Sequence, residues 1–90
     1  MKKPARSKPQ LLGRYIVADP EICHGKPTFR GTRIMVAQVL DLVARGMDWD
    51  SITERWDNHI SKEAIAEAVR LSNQAFLEHA NEYLVEPTPA

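Results

Sequence analysis

The sequence predicts a mostly α-helical domain, three helices arranged as a helix-turn-helix, preceded by short β-strands that form a hairpin. Three observations carry this prediction. The hydrophobic period lengthens from two to about 3.6 residues at Val36. Polar N-cap residues, Asp48 and Ser61, stand before two further apolar runs. A tight turn at Gly31-Thr32 divides two short arms carrying Phe29, Ile34 and Val36. With 90 residues the chain has room for one small domain and not for two.

Taken in order, residues 1–12 hold two prolines, four basic side chains and little apolar content, the composition of a basic flexible arm. The domain proper is expected over 13–86, with 87–90 as a tail. Tyr15-Ile16-Val17 is a short β-prone run that Asp19-Pro20 stops. Residues 28–36, "TFRGTRIMV", then read as two strands around Gly31-Thr32. Glycine first in a two-residue loop is what a type II′ hairpin requires, because that position needs φ > 0. From there Val36, Val39, Leu40 and Val43 lie at i, i+3, i+4 and i+7, one face of a helix. Gly46 occupies the place of a left-handed C-terminal stop.

Asp48 can cap the second helix, with Met47 stapled onto Ile52. That helix carries Trp49, Ile52 and Trp56 and ends near Asp57-Asn58. Ser61 repeats the device for the third helix, with Ile60 placed against Ile65. Its stripe runs through Ile65, Ala68, Val69, Ser72, Phe76, Ala80 and Leu84 until Pro87 and Pro89 forbid continuation. The expected helices are about 10, 10 and 22 residues long, joined by turns of a few residues. Short strands cannot bury both faces alone. They need the helices, or strands from a second chain in a homodimer.

Composition narrows the function classes. An apolar fraction of 43% with 27% charged residues is ordinary for a soluble globular chain. No apolar run approaches the roughly 18 residues of a membrane span, and no signal-peptide core of about 7–15 apolar residues follows the basic start. The single cysteine, Cys23, has no internal disulfide partner, so a cytoplasmic location is expected. The net charge of zero hides an asymmetry. Residues 1–33 carry eight basic and two acidic side chains, and residues 34–90 carry four basic and ten acidic ones. Such a split fits one end facing a polyanion and the other a basic partner, or a solvated basic tail on an acidic body.

The segment "HGKPTFRGTRIMV" at 24–36 concentrates the chemistry-bearing residues. Adjacent Cys23 and His24 would point apart in extended chain, a poor geometry for a nucleophile and its base. His59 and His79 lack the companions of a helical zinc motif, and the glycines do not make a nucleotide-binding loop. No enzyme activity, cofactor or metal is therefore expected. Lys26, Arg30 and Arg33 cluster around the expected hairpin, with Arg30 opposite Arg33. Like charges facing one another call for a partner between them, either a phosphate or an acid such as Asp19 or Glu21. In a helix-turn-helix the start of the last helix enters the major groove, which would present Ser61 and Lys62, with Arg70 further along. Glu63 and Glu67 on that helix would repel the DNA backbone.

"GKPTFRGTRIMVAQVLDLVARGM" followed by "SKEAIAEAV" resembles the domain of unknown function 433 family over about residues 14–72. The shared pattern is a Gly-Lys-Pro segment, then Arg-Gly-Thr-Arg-Ile, then a helix ending at a glycine. Its second helix often begins Ser-Pro-Glu-Glu where this chain has Asp48-Trp49-Asp50-Ser51, and Cys23-His24-Gly25 stands where Cys/Leu-Gly-Gly is common. The resemblance implies a small dimeric helix-turn-helix protein similar to VapB-like antitoxins. Such proteins are often encoded beside a PIN-like ribonuclease toxin, bind it through their C-terminal part and repress the shared operon as a complex. Carried onto this chain, Gly31, Thr32 and Arg33 form the motif turn, Gly46 the helix stop, and Ser61–Arg70 the DNA-reading helix.

The expected function is thus that of a DNA-binding antitoxin-like homodimer, active in transcription regulation within a toxin-antitoxin system. DNA would be bound by Lys26, Arg30, Arg33, Ser61, Lys62 and Arg70, and the toxin by Phe76, Leu77, Tyr83 and Leu84. The alternative is a dimeric protein–protein adaptor with no DNA binding, for which the acidic charge of residues 34–90 is the best support.

Overall fold

The computed structural model describes residues 8–83 of the chain. Three short strands, β1 (Gln10–Leu11), β2 (Ile16–Ala18) and β3 (Pro27–Phe29), precede three helices, α1 (Val36–Ala44), α2 (Trp49–Arg55) and α3 (Lys62–Glu78). The strands form one antiparallel sheet in the order β1-β2-β3. Leu11 lies opposite Val17, and Ile16 lies opposite Phe29. Ile16 and Phe29 turn one face of this sheet onto the helices. There they meet Val36 and Val39 of α1, Ile52 of α2, and Ile60, Ala64, Ile65 and Ala68 at and along α3.

Strand β1 lies inside the segment expected to be a free basic arm. Its backbone pairs with β2, and the N–H groups of Leu12 and Gly13 both donate to the Ile16 carbonyl, closing a tight turn. The remainder of that expected arm, residues 1–7, lies outside the described residues, as do Leu84 and the tail at 87–90.

The turn after β3 is shifted by one residue from the expectation. Thr32 N–H donates to the Phe29 carbonyl, so Arg30 and Gly31 are the two central residues. Gly31 is third of the four with φ +82°, the requirement of a type II turn rather than type II′. The Thr32 hydroxyl donates to the Phe29 carbonyl at 2.8 Å and accepts the Ile34 N–H at 2.9 Å, replacing ladder bonds the short arm lacks. The outgoing arm is consequently a single bridge, Met35 to Thr28, rather than a strand, and the chain enters α1 at once. Arg30 sits within the turn and does not oppose Arg33 across a ladder.

The helix ends follow local chemistry. Asp48 accepts the Ser51 N–H and the Ser61 hydroxyl accepts the Ala64 N–H, so both anticipated N-caps form. Gly46, at φ +88°, follows α1. Its N–H bonds the Val43 carbonyl and the Met47 N–H bonds that of Leu42, the paired bonds of a Schellman stop. Helix α2 ends in the same pattern, Asp57 N–H to Glu54 and Asn58 N–H to Thr53. Asp57 takes the glycine position at φ +54° and Asn58 follows at φ +63°.

Helix α3 is shorter than the expected 22 residues. It stops at Glu78, before a 3-10 turn over Ala80–Tyr83. Only its first two turns are buried, through Ala64, Ile65, Glu67 and Ala68, and from Ser72 onward every described residue is exposed. The anticipated stripe through Val69, Ser72, Phe76 and Ala80 is therefore not a core face. The sheet and α1 are too short to follow α3 along its length.

The other face of the sheet holds one orphan. Thr28 is fully buried and its hydroxyl has no hydrogen-bond partner. Removing a buried unpaired hydroxyl without changing shape recovers its desolvation cost. Thr28→Val is expected to raise stability by about 1 kcal/mol, read as a higher urea midpoint with an unchanged slope.

Candidate functional site

Three turns converge at one end of the molecule: the β1–β2 turn, the β3 turn, and the turn between α2 and α3. The β3 turn is tied to β2 by the Arg30 N–H, which donates to the Tyr15 carbonyl at 2.8 Å. The β1–β2 turn is tied to α3 by Glu67. One carboxylate oxygen accepts the Arg14 N–H at 2.8 Å and the other the Tyr15 N–H at 2.7 Å. Gly13 makes this approach possible, because a Cβ at that residue would lie 2.6 Å from the Glu67 carboxyl carbon. Glu67, expected on a DNA-facing surface, instead points inward and is 7% exposed.

Between these turns lies a cleft of about 210 Å³ lined by Tyr15, Arg30, Asn58, His59 and Ser61. The Arg14 guanidinium stands 5.7 Å from the centre of the Tyr15 ring, adding a second cation beside it. Of the residues anticipated as DNA contacts, Arg30 and Ser61 are the two brought together here. Ser61 is engaged as the cap of α3. Lys62 stands in an exposed ion pair, its Nζ 2.9 Å from Asp50. That hydrogen bond and the charge attraction of Asp50 raise the Lys62 pKa above its ordinary value. Asp48, at the start of α2, is held below the usual carboxylate value by hydrogen bonds from the Ser51 hydroxyl and the Ser51 N–H.

Lys26, Arg30, Arg33 and Arg70 are exposed, and among the described residues none has a carboxylate oxygen within 4.0 Å. Asp19, anticipated as one acidic partner for the arginines, accepts the Glu21 N–H and so closes its own turn. The preceding turn is left-handed over three residues, Cys23, His24 and Gly25, at φ +51°, +58° and +82°. Its Cys23 thiol lies 3.5 Å from the Arg33 carbonyl, which docks this turn on the next. Among the described residues no group of three or more His, Cys, Asp and Glu side chains could hold a metal ion.

Of the residues expected to bind a partner, Phe76 is 50%, Leu77 68% and Tyr83 58% exposed. The rings of Phe76 and Tyr83 meet in a tilted contact, their centres 5.2 Å apart and their planes at 50°. Leu84 lies outside the described residues. Among those described, no helix is long and apolar enough to cross a membrane.

Sequence reasoning passed over Arg14, Tyr15, Asn58 and His59 as members of one site. They lie more than 40 residues apart in two pairs, and no spacing rule links such pairs. Only Asn58-His59, in a turn before an N-cap, carried a local signal.

No curated protein and no solved structure matches this chain. Residues 16–71, from β2 to the end of the buried part of α3, match the family model described as a protein of unknown function (DUF433), and the chain belongs to that family.

Proposed function

We propose that this protein is a cytoplasmic, DNA-binding, antitoxin-like homodimer that regulates its own operon and neutralises a PIN-like ribonuclease toxin. The observation that supports the DNA half is the set of exposed cations Lys26, Arg30 and Arg33 without a carboxylate partner. Three solvated positive charges on neighbouring turns are an electrostatic footprint for phosphate. The toxin half draws on the C-terminal part of α3 and the 3-10 turn, where Phe76, Leu77 and Tyr83 offer apolar anchors beside Glu78 and Glu82.

A gel-shift titration with the DNA upstream of its own reading frame tests the first half. Binding is expected to weaken steeply with salt. Arg30→Ala with Arg33→Ala should lower the slope of log affinity against log salt by about two. An unchanged slope would remove these two arginines from the DNA contact. The second reading, a protein–protein adaptor with no DNA binding, is favoured by one observation. The start of α3 offers an engaged Ser61, a paired Lys62 and an exposed Glu63, a poor set for a DNA groove. Absence of any salt-dependent shift would select it.

A further inference from the structure

We propose that the cleft between the three turns is a phosphate-binding site in which Arg30, His59 and Asn58 hold the oxygens of one backbone phosphate, with Arg14 at the rim. The proposal takes its ligand from the DNA-binding reading above and goes beyond it in naming the site and in recruiting residues that reading does not use.

The lining is one-sided in its chemistry. Arg30, Asn58, His59, Tyr15 and Ser61 supply its polar groups, and every one of these side chains can donate a hydrogen bond. Among the described residues no carboxylate lines the cleft. Among the described residues its arginine has no carboxylate within 4.0 Å, and no side-chain hydrogen bond engages His59 or Asn58. An arginine fork matches two oxygens of a phosphate at once, which gives geometry as well as charge. A volume of about 210 Å³ is below the roughly 300–1,000 Å³ of pockets for drug-sized ligands, so it suits a single phosphate group and not a nucleotide cofactor.

The walls are pinned before any ligand arrives. Glu67 holds Tyr15 through its backbone N–H, and the Arg30 N–H is fastened to the Tyr15 carbonyl. His59 is fixed by its N–H to the Trp56 carbonyl, behind the left-handed pair Asp57-Asn58. These bonds fix the backbone from which the exposed side chains of Arg30, Asn58 and His59 reach the cleft, so the three start from set positions around one anion.

The test uses the full chain and two probes. Inorganic phosphate is titrated while backbone amide resonances are followed, and a 20-base-pair duplex of the upstream DNA is titrated across a salt series. Phosphate should shift the amides of Arg30, Asn58 and His59 together and saturably, and Arg30→Gln should abolish those shifts while the remaining spectrum stays dispersed. With the duplex, Arg30→Gln should lower the salt slope by about one and His59→Ala should weaken binding several-fold. Phosphate shifts at the cleft without duplex binding would keep the site and remove the DNA reading. Duplex binding that weakens with Lys26→Gln and Arg33→Gln but not with Arg30→Gln or His59→Ala would keep the DNA reading and remove the site. Phosphate shifts that scatter over the surface, or that survive Arg30→Gln, also overturn it.

Discussion

Glu67→Ala is expected to destabilise the domain by about 3 kcal/mol, because it removes a charged acceptor from two backbone N–H groups at once. The carboxylate is buried, 2.7 and 2.8 Å from the Tyr15 and Arg14 nitrogens, and it is the bond that joins the β1–β2 turn to α3. Gly13→Ala should cost nearly as much, about 2 kcal/mol, by an indirect route. The new methyl group would meet the carboxylate at 2.6–2.8 Å, and the flexible end of Glu67 would swing away and lose both hydrogen bonds. The two substitutions are therefore strongly coupled. In the Glu67→Ala background, Gly13→Ala should change the urea midpoint by less than about 0.5 kcal/mol equivalent. Simple additivity of the two costs would show that Gly13 serves the turn for some other reason.

Ile65→Ala is the second large effect, at about 3–4 kcal/mol. Ile65 is fully buried where both other helices and the sheet meet α3, so a cavity there has no element free to collapse into it. Small domains hold only about 5–15 kcal/mol in total, so thermal or urea unfolding should show a midpoint near the edge of measurable folding. Phe76→Ala is the contrast within the same helix. Phe76 is half exposed, and its loss should move the midpoint by well under 1 kcal/mol. A large destabilisation by Phe76→Ala in dilute protein would show that the C-terminal part of α3 is covered in solution, contrary to its exposure in the isolated chain.

These contrasts show where a linear reading of the residues succeeds. Asp48, Ser61 and Gly46 act within five residues of themselves, through caps and Schellman bonds whose partners are fixed by helix geometry. The face of α1 through Val36 and Val39 follows from period alone. The turn around Gly31 is legible as a turn, but neither its register nor its type is. The type II turn is accompanied by the Thr32 hydroxyl bonds and by the tether from Arg30 to Tyr15, the second of which reaches across 15 residues.

Misreadings cluster at α3. An apolar stripe continues along the helix in sequence, yet the sheet and α1 run out beside Leu71, so periodicity promised a longer core than the partners could supply. Glu67 looked like a solvent-facing charge because glutamate is seldom buried unless its oxygens are satisfied. Satisfaction came from Arg14 and Tyr15, more than 50 residues away.

The sequence by itself determined the starts of all three helices, the glycine stop of α1, the presence of a turn around Gly31 and the basic cluster of Lys26, Arg30 and Arg33, because these depend on neighbours along the chain. Only the tertiary structure decided which carboxylate is inside, how far along α3 the core extends, and that Arg30 shares a cleft with Asn58 and His59. Those outcomes depend on which backbone donors and apolar faces the folded chain brings opposite one another, a property of three-dimensional proximity that no spacing along the chain encodes.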